Sequence, residues 1–141
     1  MKALGRHIVA ELSLCEPGVL SDIAKVRDIM VRAALAAKAT VRESAFHKFE
    51  PGGVSGVVVL AESHLSIHTW PEFGYAAIDI YTCGETADPW RACEFLAEKF
   101  SAQNISTTVV ERGIPTPFGK YSHVVSSSVP QPTETRVALQ P

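Results

Sequence analysis

The sequence predicts an α+β fold, a two-layer sandwich in which two helices lie on one face of a mostly antiparallel sheet. Six segments have the alternating or branched, turn-bounded composition of strands, and two other segments repeat apolar residues at three-to-four spacing. Two helices cannot cover both faces of a six-stranded sheet. The uncovered face therefore predicts a dimer with an α-β-β-α arrangement, in which the sheets of two copies pack together.

The first elements follow from local patterns in chain order. Residues 5–15 alternate and are rich in branched side chains, which is typical of a strand. An amphipathic helix is expected over residues 17–39, because apolar residues such as Leu20 and Ile23 recur at helical spacing and Pro17 suits a first turn. Four more strands are then predicted at residues 40–50, 54–62, 63–72 and 75–84.

The second helix has a clear start signal. Asp88 suits the N-cap and Pro89 suits the first helical position, so a helix is expected from there to Phe100. Residues 105–113 are rich in β-branched side chains, and they form the last predicted strand.

The chain is expected to hold one domain. Residues 1–115 form that domain, and residues 116–141 form a C-terminal extension that is predicted to be partly disordered. Pro, Ser, Thr and Gln become frequent in this extension, and residues 126–141 have the composition of a mobile tail.

Composition excludes several classes of function. The formal net charge is −2 and the 13 basic residues are scattered, so no basic patch predicts a nucleic-acid partner. The chain has no apolar run of 18 residues and its start lacks the apolar stretch of a secretory signal, which predicts a cytoplasmic protein with no membrane partner. Three cysteines without CxxC spacing indicate neither a disulfide framework nor a metal site.

One short segment, "AESHLSIHTWPE" at residues 61–72, carries an unusual number of proton-handling groups. Each candidate alone has an ordinary explanation: Ser63 is a turn residue, His68 a core histidine, Ser55 a strand residue and Cys83 a small buried thiol. Their combination is what favours a catalytic function.

The combined motif resembles a known family. Residues 52–85, "GGVSGVVVLAESHLSIHTWPEFGYAAIDIYTCGE", closely resemble the pyruvoyl-dependent S-adenosylmethionine decarboxylases of the short prokaryotic type. The likeness extends to "LGRHIVAEL" and "DPWRACEFL", so it covers roughly residues 4–113. The resemblance does not extend to the segment after Gly113.

This resemblance implies self-cleavage between Glu62 and Ser63. In the family the serine hydroxyl attacks the preceding carbonyl, the amide becomes an ester, and the ester is lost by elimination at the serine. The residue matching His68 removes the α-proton, and the residue matching Ser55 steadies the oxyanion.

The resemblance also implies the cofactor. The family converts the serine matching Ser63 into a pyruvoyl group, which forms a Schiff base with the substrate amine and replaces pyridoxal phosphate as the electron sink. No metal is implied, and Glu62, His64 and His68 lack a clear ligand geometry. The family cysteine matching Cys83 returns a proton to the substrate, a role that suits a thiol because its ordinary pKa is about 8.5.

Substrate contacts are implied in the same way. The family stacks adenine against a ring matching Phe49, holds the ribose hydroxyls with a carboxylate matching Glu72, and reads the adenine edge with the backbone near Leu65. The expected activity is decarboxylation of S-adenosylmethionine to the aminopropyl donor of spermidine synthesis. The alternatives are an arginine or ornithine decarboxylase on the same self-processing scaffold, or a non-catalytic homologue.

Geometry adds a prediction about assembly. A hairpin turning at Glu62–Ser63 places Ser55 opposite about Trp70 and diagonal to His68. Five residues of strand separate Ser63 from His68, which is roughly 16 Å. We therefore expect a homodimer with shared sites, in which Ser63 and Cys83 of one protomer face Phe49, Ser55, His68 and Glu72 of the other.

Overall fold

A computed structural model of the chain describes residues 2–127 and 131–132. Within these residues one eight-stranded sheet packs against helices on one of its faces. The strands are β1 (Gly5–Ser13), β2 (Val41–Lys48), β3 (Val54–Leu60), β4 (Ser63–Trp70), β5 (Tyr75–Cys83), β6 (Asn104–Thr116), β7 (Lys120–Ser127) and β8 (Gln131–Pro132). The helices are α1 (Pro17–Leu20), α2 (Ile23–Ala36) and α3 (Pro89–Lys99), with 3-10 turns at Pro71–Phe73 and Pro117–Gly119.

The sheet is antiparallel throughout its described pairs. Its strand order is β2-β3-β4-β5-β1-β6-β7, and β8 pairs with β6 beside β7. The first strand lies in the interior of the sheet, between β5 and β6. The predicted α+β class with a mostly antiparallel sheet is confirmed.

The helix starts are set by capping side chains. Asp22 accepts hydrogen bonds from the backbone N–H groups of Ala24 and Lys25, both at 3.1 Å, and this cap begins α2. The single helix predicted over residues 17–39 is therefore divided into the short α1 and the longer α2. The predicted cap of α3 is present, because Asp88 accepts from the N–H of Trp90 at 3.1 Å.

The two faces of the sheet have different environments. Helix α2 packs on β2 and β3, α3 packs on β1 and β5, and the two helices pack on each other, so both lie on one face. Strand residues on this face, such as Ile8, Leu65 and Ile80, are fully buried. We call the opposite side the open face, and no helix in the described part of the chain covers it. Its central residues are half-buried: His7, His64, Ser66, His68, Trp70, Tyr75, Asp79, Tyr81 and Cys83.

A hairpin at the end of the chain extends the sheet beyond the predicted last strand. Strand β6 continues to Thr116, with an irregularity at Gly113, whose φ of 74° places it in the left-handed region. Strand β7 then pairs back along β6, which the composition did not predict. Of the tail predicted at residues 126–141, residues 128–130 and 133–141 lie outside the described residues.

Candidate active site

The β3–β4 hairpin forms the centre of the site. Leu60 pairs with Ser63 across a two-residue loop, and the second loop residue, Glu62, has a φ of 66°. Ser55 consequently pairs directly with His68, so the predicted pairing of Ser55 with about Trp70 is wrong by two residues. The reason is that the turn lies one residue earlier than the sequence indicated.

The peptide bond between Glu62 and Ser63 lies against a thiol. The β4–β5 register pairs His64 with Tyr81, which brings Cys83 opposite the turn. The Cys83 thiol donates a hydrogen bond to the carbonyl oxygen of Glu62, with Sγ and O 2.9 Å apart. The Glu62 carbonyl, which the Ser63 hydroxyl would attack in the expected self-cleavage, therefore already accepts a hydrogen bond from Cys83.

The other two cysteines of the chain are unsuited to this role. Burial raises the pKa of the Cys15 thiol to about 12, and burial with the nearby Glu94 charge does the same for Cys93. Cys83 is only half-buried. It is the cysteine that a substrate can reach.

A cavity of about 690 Å³ opens beside the turn. Glu62, Cys83 and Gly84 form one wall, and charged residues of β1 and β6 form another. The charges at its rim are paired, because Arg6 contacts Glu111 at 3.1 Å between Nε and Oε2 and Lys2 contacts Glu85. The Glu62–Ser63 peptide bond thus borders a space large enough for a small molecule.

The second group of predicted residues lies at the other end of β4. The Ser55 hydroxyl and Nδ1 of His68 share a hydrogen bond, which leaves Nε2 of that ring available for proton transfer. The centroid of the Phe49 ring lies 5.9 Å from that of His68, and the Trp70 ring lies 4.1 Å from it. Phe49, Ser55 and His68 are therefore brought together as a set.

Two predicted substrate contacts have distinct positions. Glu72 is exposed in the 3-10 turn that follows Trp70, at the same end of the sheet as His68. Leu65 is fully buried on the helix side, so only its backbone could take the predicted part in recognition.

Within one chain the predicted residues form two separate half-sites. The turn half-site contains Glu62, Ser63 and Cys83, and the ring half-site contains Phe49, Ser55, His68 and Glu72. Ser63 and His68 stand five residues apart on β4, roughly 16 Å at the usual strand rise. Strand alternation also assigns them to opposite faces.

A polar network that the sequence analysis missed lies on the open face between the half-sites. Asp79 accepts from the Ser66 hydroxyl at 2.9 Å and contacts Nε2 of His7 at 3.2 Å. Arg112 Nη1 lies 3.5 Å from Nδ1 of the same histidine. The available signal was only that His7 and Asp79 are polar residues at alternating positions of two predicted strands.

A second missed contact supports the ring half-site. Tyr75 donates its phenol hydrogen to Glu11, and its ring stacks on Trp70 with centroids 5.1 Å apart. Burial, and then the hydrogen bond and charge of Glu11, raise the pKa of Tyr75 to about 12. The stack fixes the ring that packs against His68.

The described residues contain neither a group of three or more His, Cys, Asp or Glu side chains suited to a metal ion nor a helix able to span a membrane. The fold instead resembles that of one class of enzyme. The crystal structure of the adenosylmethionine decarboxylase from Aquifex aeolicus VF5 superposes with a TM-score of 0.77 at 36% identity, covering 85% of this chain and 99% of that one. The Trypanosoma brucei AdoMetDC-delta26 monomer shares the fold alone, with a TM-score of 0.58 at 12% identity, over 81% of this chain and 48% of that one.

Sequence comparison identifies the family. The family described as S-adenosylmethionine decarboxylase matches residues 6–113. The chain is 60% identical over 114 residues to the S-adenosylmethionine decarboxylase proenzyme of Moorella thermoacetica, covering 81% of this chain and 91% of that one. It is 59% identical to the proenzyme of the same name from Pelotomaculum thermopropionicum, covering 81% and 90%. The chain belongs to the S-adenosylmethionine decarboxylase family.

Proposed function

We propose that this protein cleaves itself between Glu62 and Ser63 and then decarboxylates S-adenosylmethionine to the aminopropyl donor of spermidine synthesis. The observation that carries the proposal is the Cys83 thiol, 2.9 Å from the Glu62 carbonyl oxygen, in a family whose relatives are named proenzymes. The names of these relatives favour the adenosyl substrate over arginine or ornithine.

The first step belongs to the turn half-site. The Ser63 hydroxyl attacks the Glu62 carbonyl carbon, and negative charge develops on the oxygen to which Cys83 donates. The amide is exchanged for an ester, and elimination at Ser63 releases residues 1–62 with a free carboxylate. Water then replaces the nitrogen, which leaves as ammonia, and a pyruvoyl group remains at residue 63. The left-handed backbone of Glu62, a conformation that costs a non-glycine residue about 1–3 kcal/mol, favours opening of this turn.

The elimination needs a base at the Ser63 α-carbon, and the ring half-site supplies one. Nδ1 of His68 is engaged by Ser55, so Nε2 is the nitrogen that accepts the proton. Because His68 is roughly 16 Å away in its own chain, we propose that the base comes from a second copy. Two open faces stacked about a two-fold axis bring the turn half-site of one protomer to the ring half-site of its partner.

The residues present suit a pyruvoyl group at position 63. Such a group supplies a ketone that binds the substrate amine and withdraws electrons from the carboxylate. Cys83 stands beside that position and donates the proton that replaces carbon dioxide. The Phe49 ring offers a flat surface to adenine, for which stacking contributes about 1–3 kcal/mol, and the exposed Glu72 carboxylate accepts from the ribose hydroxyls.

Substrate choice tests this proposal directly. Carbon dioxide release is measured from S-adenosylmethionine, arginine and ornithine, each labelled at the carboxyl carbon, with Phe49→Ala and Glu72→Gln beside the native protein. We expect release from S-adenosylmethionine, weakened mainly in KM by both variants. Release from arginine or ornithine in its place would refute the assigned substrate.

A further inference from the structure

Tyr81 lies beside the turn half-site, and neither the sequence motif nor the expected chemistry assigns it a role. It lies on β5 two residues before Cys83, so both side chains are on the open face. Gly5 of β1 is the cross-strand partner of Cys83. The Tyr81 ring is half-buried and extends across this pair.

A glycine permits this placement of the ring. A Cβ atom at Gly5 would lie 2.5 Å from Oη of Tyr81 and 2.6 Å from Cζ, so any other residue there would displace the phenol. The hydroxyl therefore rests on the backbone directly opposite Cys83. The Arg112 guanidinium covers the same ring, with its Cζ 5.1 Å from the centroid.

The electrostatics make this phenol a donor. Burial raises the pKa of Tyr81, and the neighbouring Cys83 raises it further, whereas Arg112 opposes the shift. The hydroxyl thus keeps its proton at neutral pH. The Cys83 thiol in turn donates to the Glu62 carbonyl oxygen.

We propose that Tyr81 is a positioning residue for Cys83: its hydroxyl donates to the sulfur and directs the thiol proton to the Glu62–Ser63 bond. The part of this inference that concerns turnover rests on the proposed function. The part that concerns the uncut precursor does not.

A fixed thiol matters because, once carbon dioxide has left, either of two carbons can take the proton: the substrate carbon or the α-carbon of residue 63. When Cys83 protonates the substrate carbon, a thiolate remains that accepts from Tyr81 until water returns the proton. When the proton reaches the α-carbon of residue 63 instead, hydrolysis leaves the substrate nitrogen on the protein as an amine and releases the substrate as an aldehyde. The protein chain then begins with alanine and is inactive.

The precursor test uses the S–H stretching band of Cys83. It is measured in a Ser63→Ala protein, which stays uncut, as a difference against the same protein carrying Cys83→Ala. Tyr81→Phe keeps the ring and removes the hydroxyl, and Gly5→Ala displaces the ring, so we expect both changes to shift the band. Tyr75→Phe removes a hydroxyl from the same strand and face, but that hydroxyl binds Glu11, and the band should stay in place. A band unmoved by both Tyr81→Phe and Gly5→Ala overturns the proposal.

The turnover test counts catalytic cycles per inactivation in the cut enzyme. One neutral hydrogen bond contributes about 1 kcal/mol, so Tyr81→Phe should lower this ratio by about fivefold. N-terminal sequencing of the chain that begins at residue 63 should show more alanine in step with inactivation. If Tyr81→Phe completes as many catalytic cycles per inactivation as the native enzyme, Tyr81 has no role in protonation. Failure of the native protein to cut itself would refute the proposed function, while the precursor band would still test Tyr81.

Discussion

At the scale of single residues, Cys83 serves both stages of the proposed chemistry. Before cleavage its thiol donates to the Glu62 carbonyl oxygen, and after cleavage the same thiol stands beside residue 63. We propose that Ser55 also steadies the oxyanion of the first stage, whereas the second stage depends on the thiol proton itself. The two stages should therefore respond differently to its loss.

We expect Cys83→Ala to cut itself to completion, more slowly than the native chain, and then to lose most of its decarboxylation. Gel analysis follows cleavage and labelled carbon dioxide follows turnover. Cys93→Ala is the control, since that thiol lies on the buried side of α3 and its loss should affect only the melting temperature. Native turnover in Cys83→Ala would remove the cysteine from the reaction.

His64 predicts how stability depends on pH. Burial and the positive charge of His7 lower the pKa of His64 below its ordinary 6.5, and Asp79 opposes this only in part. The unfolded chain therefore takes up a proton at His64 more readily than the folded chain. The contribution of neutral His64 to the free energy of unfolding is fully present above about pH 6.5 and is lost as the pH falls towards the pKa of the folded state.

The melting temperature should therefore fall between pH 7.5 and 5.5, and His64→Gln should reduce this fall. His123→Gln, at an exposed position of β7, should leave it unchanged. An equal fall in the native protein and in His64→Gln would show that this histidine is not the group responsible.

The sequence predicted the site residues better than their surroundings. Ser55, His68 and Cys83 lie in a contiguous motif, so their identity needed no tertiary information. The contacts of His7 with Asp79 and of Tyr75 with Glu11 depend on which strands are neighbours. Strand β1 lies beside β5 although some 60 residues separate them, and no local pattern encodes that pairing.

At the scale of elements, the β3–β4 turn decides the geometry of the site. Its two-residue loop pairs Ser55 with His68 and leaves Glu62 in the left-handed region. The sequence located the turn only to within one residue, because neither Glu62 nor Ser63 is a glycine or asparagine that would mark the position. Because the turn was placed one residue too late, the predicted partner of Ser55 was displaced by two residues, from His68 to about Trp70.

Glu62→Gly tests the role of this strained turn. In a Ser63→Ala protein, glycine relieves the left-handed conformation at its own entropic cost, so the free energy of unfolding should rise by up to about 1 kcal/mol. In the cutting protein the same change should slow cleavage, because the carbonyl is held less firmly at Cys83. Lys38→Gly is the matched control, with a φ of 62° far from the site, and it should raise stability without affecting cleavage. Faster cleavage in Glu62→Gly would contradict this account.

The C-terminal hairpin shows where composition misleads. Residues rich in Ser, Thr and Pro predicted an extension, yet residues 120–127 form β7 because they complete the hydrogen bonds of the β6 edge. The family match ends at residue 113, before this hairpin turns. We propose that residues 1–115 are the catalytic unit.

A chain ending at Thr116 should accordingly cut itself at the native rate, while melting at a lower temperature because the edge of β6 is uncovered. Gel analysis and thermal unfolding measure the two properties. A folded but uncut short chain would assign the hairpin a part in processing.

At the scale of the whole molecule, the ring half-site lies at one end of the open face, and Cys83 of the turn half-site lies at the other end. The half-buried polar and aromatic side chains between them, including the Asp79 network, suit a surface that a second sheet covers. Each dimer would then hold two complete sites. In this arrangement two inactive variants can restore cleavage in a mixed dimer, which a site within one chain would not allow.

Mixed dimers test the shared site. Ser63→Ala and His68→Ala should each remain uncut when expressed alone. When they are expressed together, mixed dimers form. The His68→Ala chain still has Ser63 and its Ser63→Ala partner still has His68, so the His68→Ala chain should be cut. A Ser63→Ala, His68→Ala double variant is the control partner and should give no cleavage. Uncut chains in the first mixture would place both residues in one protomer.

In the proposed chemistry the chain breaks before Ser63, and this residue becomes a group that carries a ketone. Intact-mass measurement of the purified native protein, with and without a carbonyl-trapping hydrazine, tests it most directly. We expect one chain of residues 1–62 and a second chain that begins at residue 63 and gains the mass of the trap. A single chain of 141 residues that does not react with the trap would contradict it.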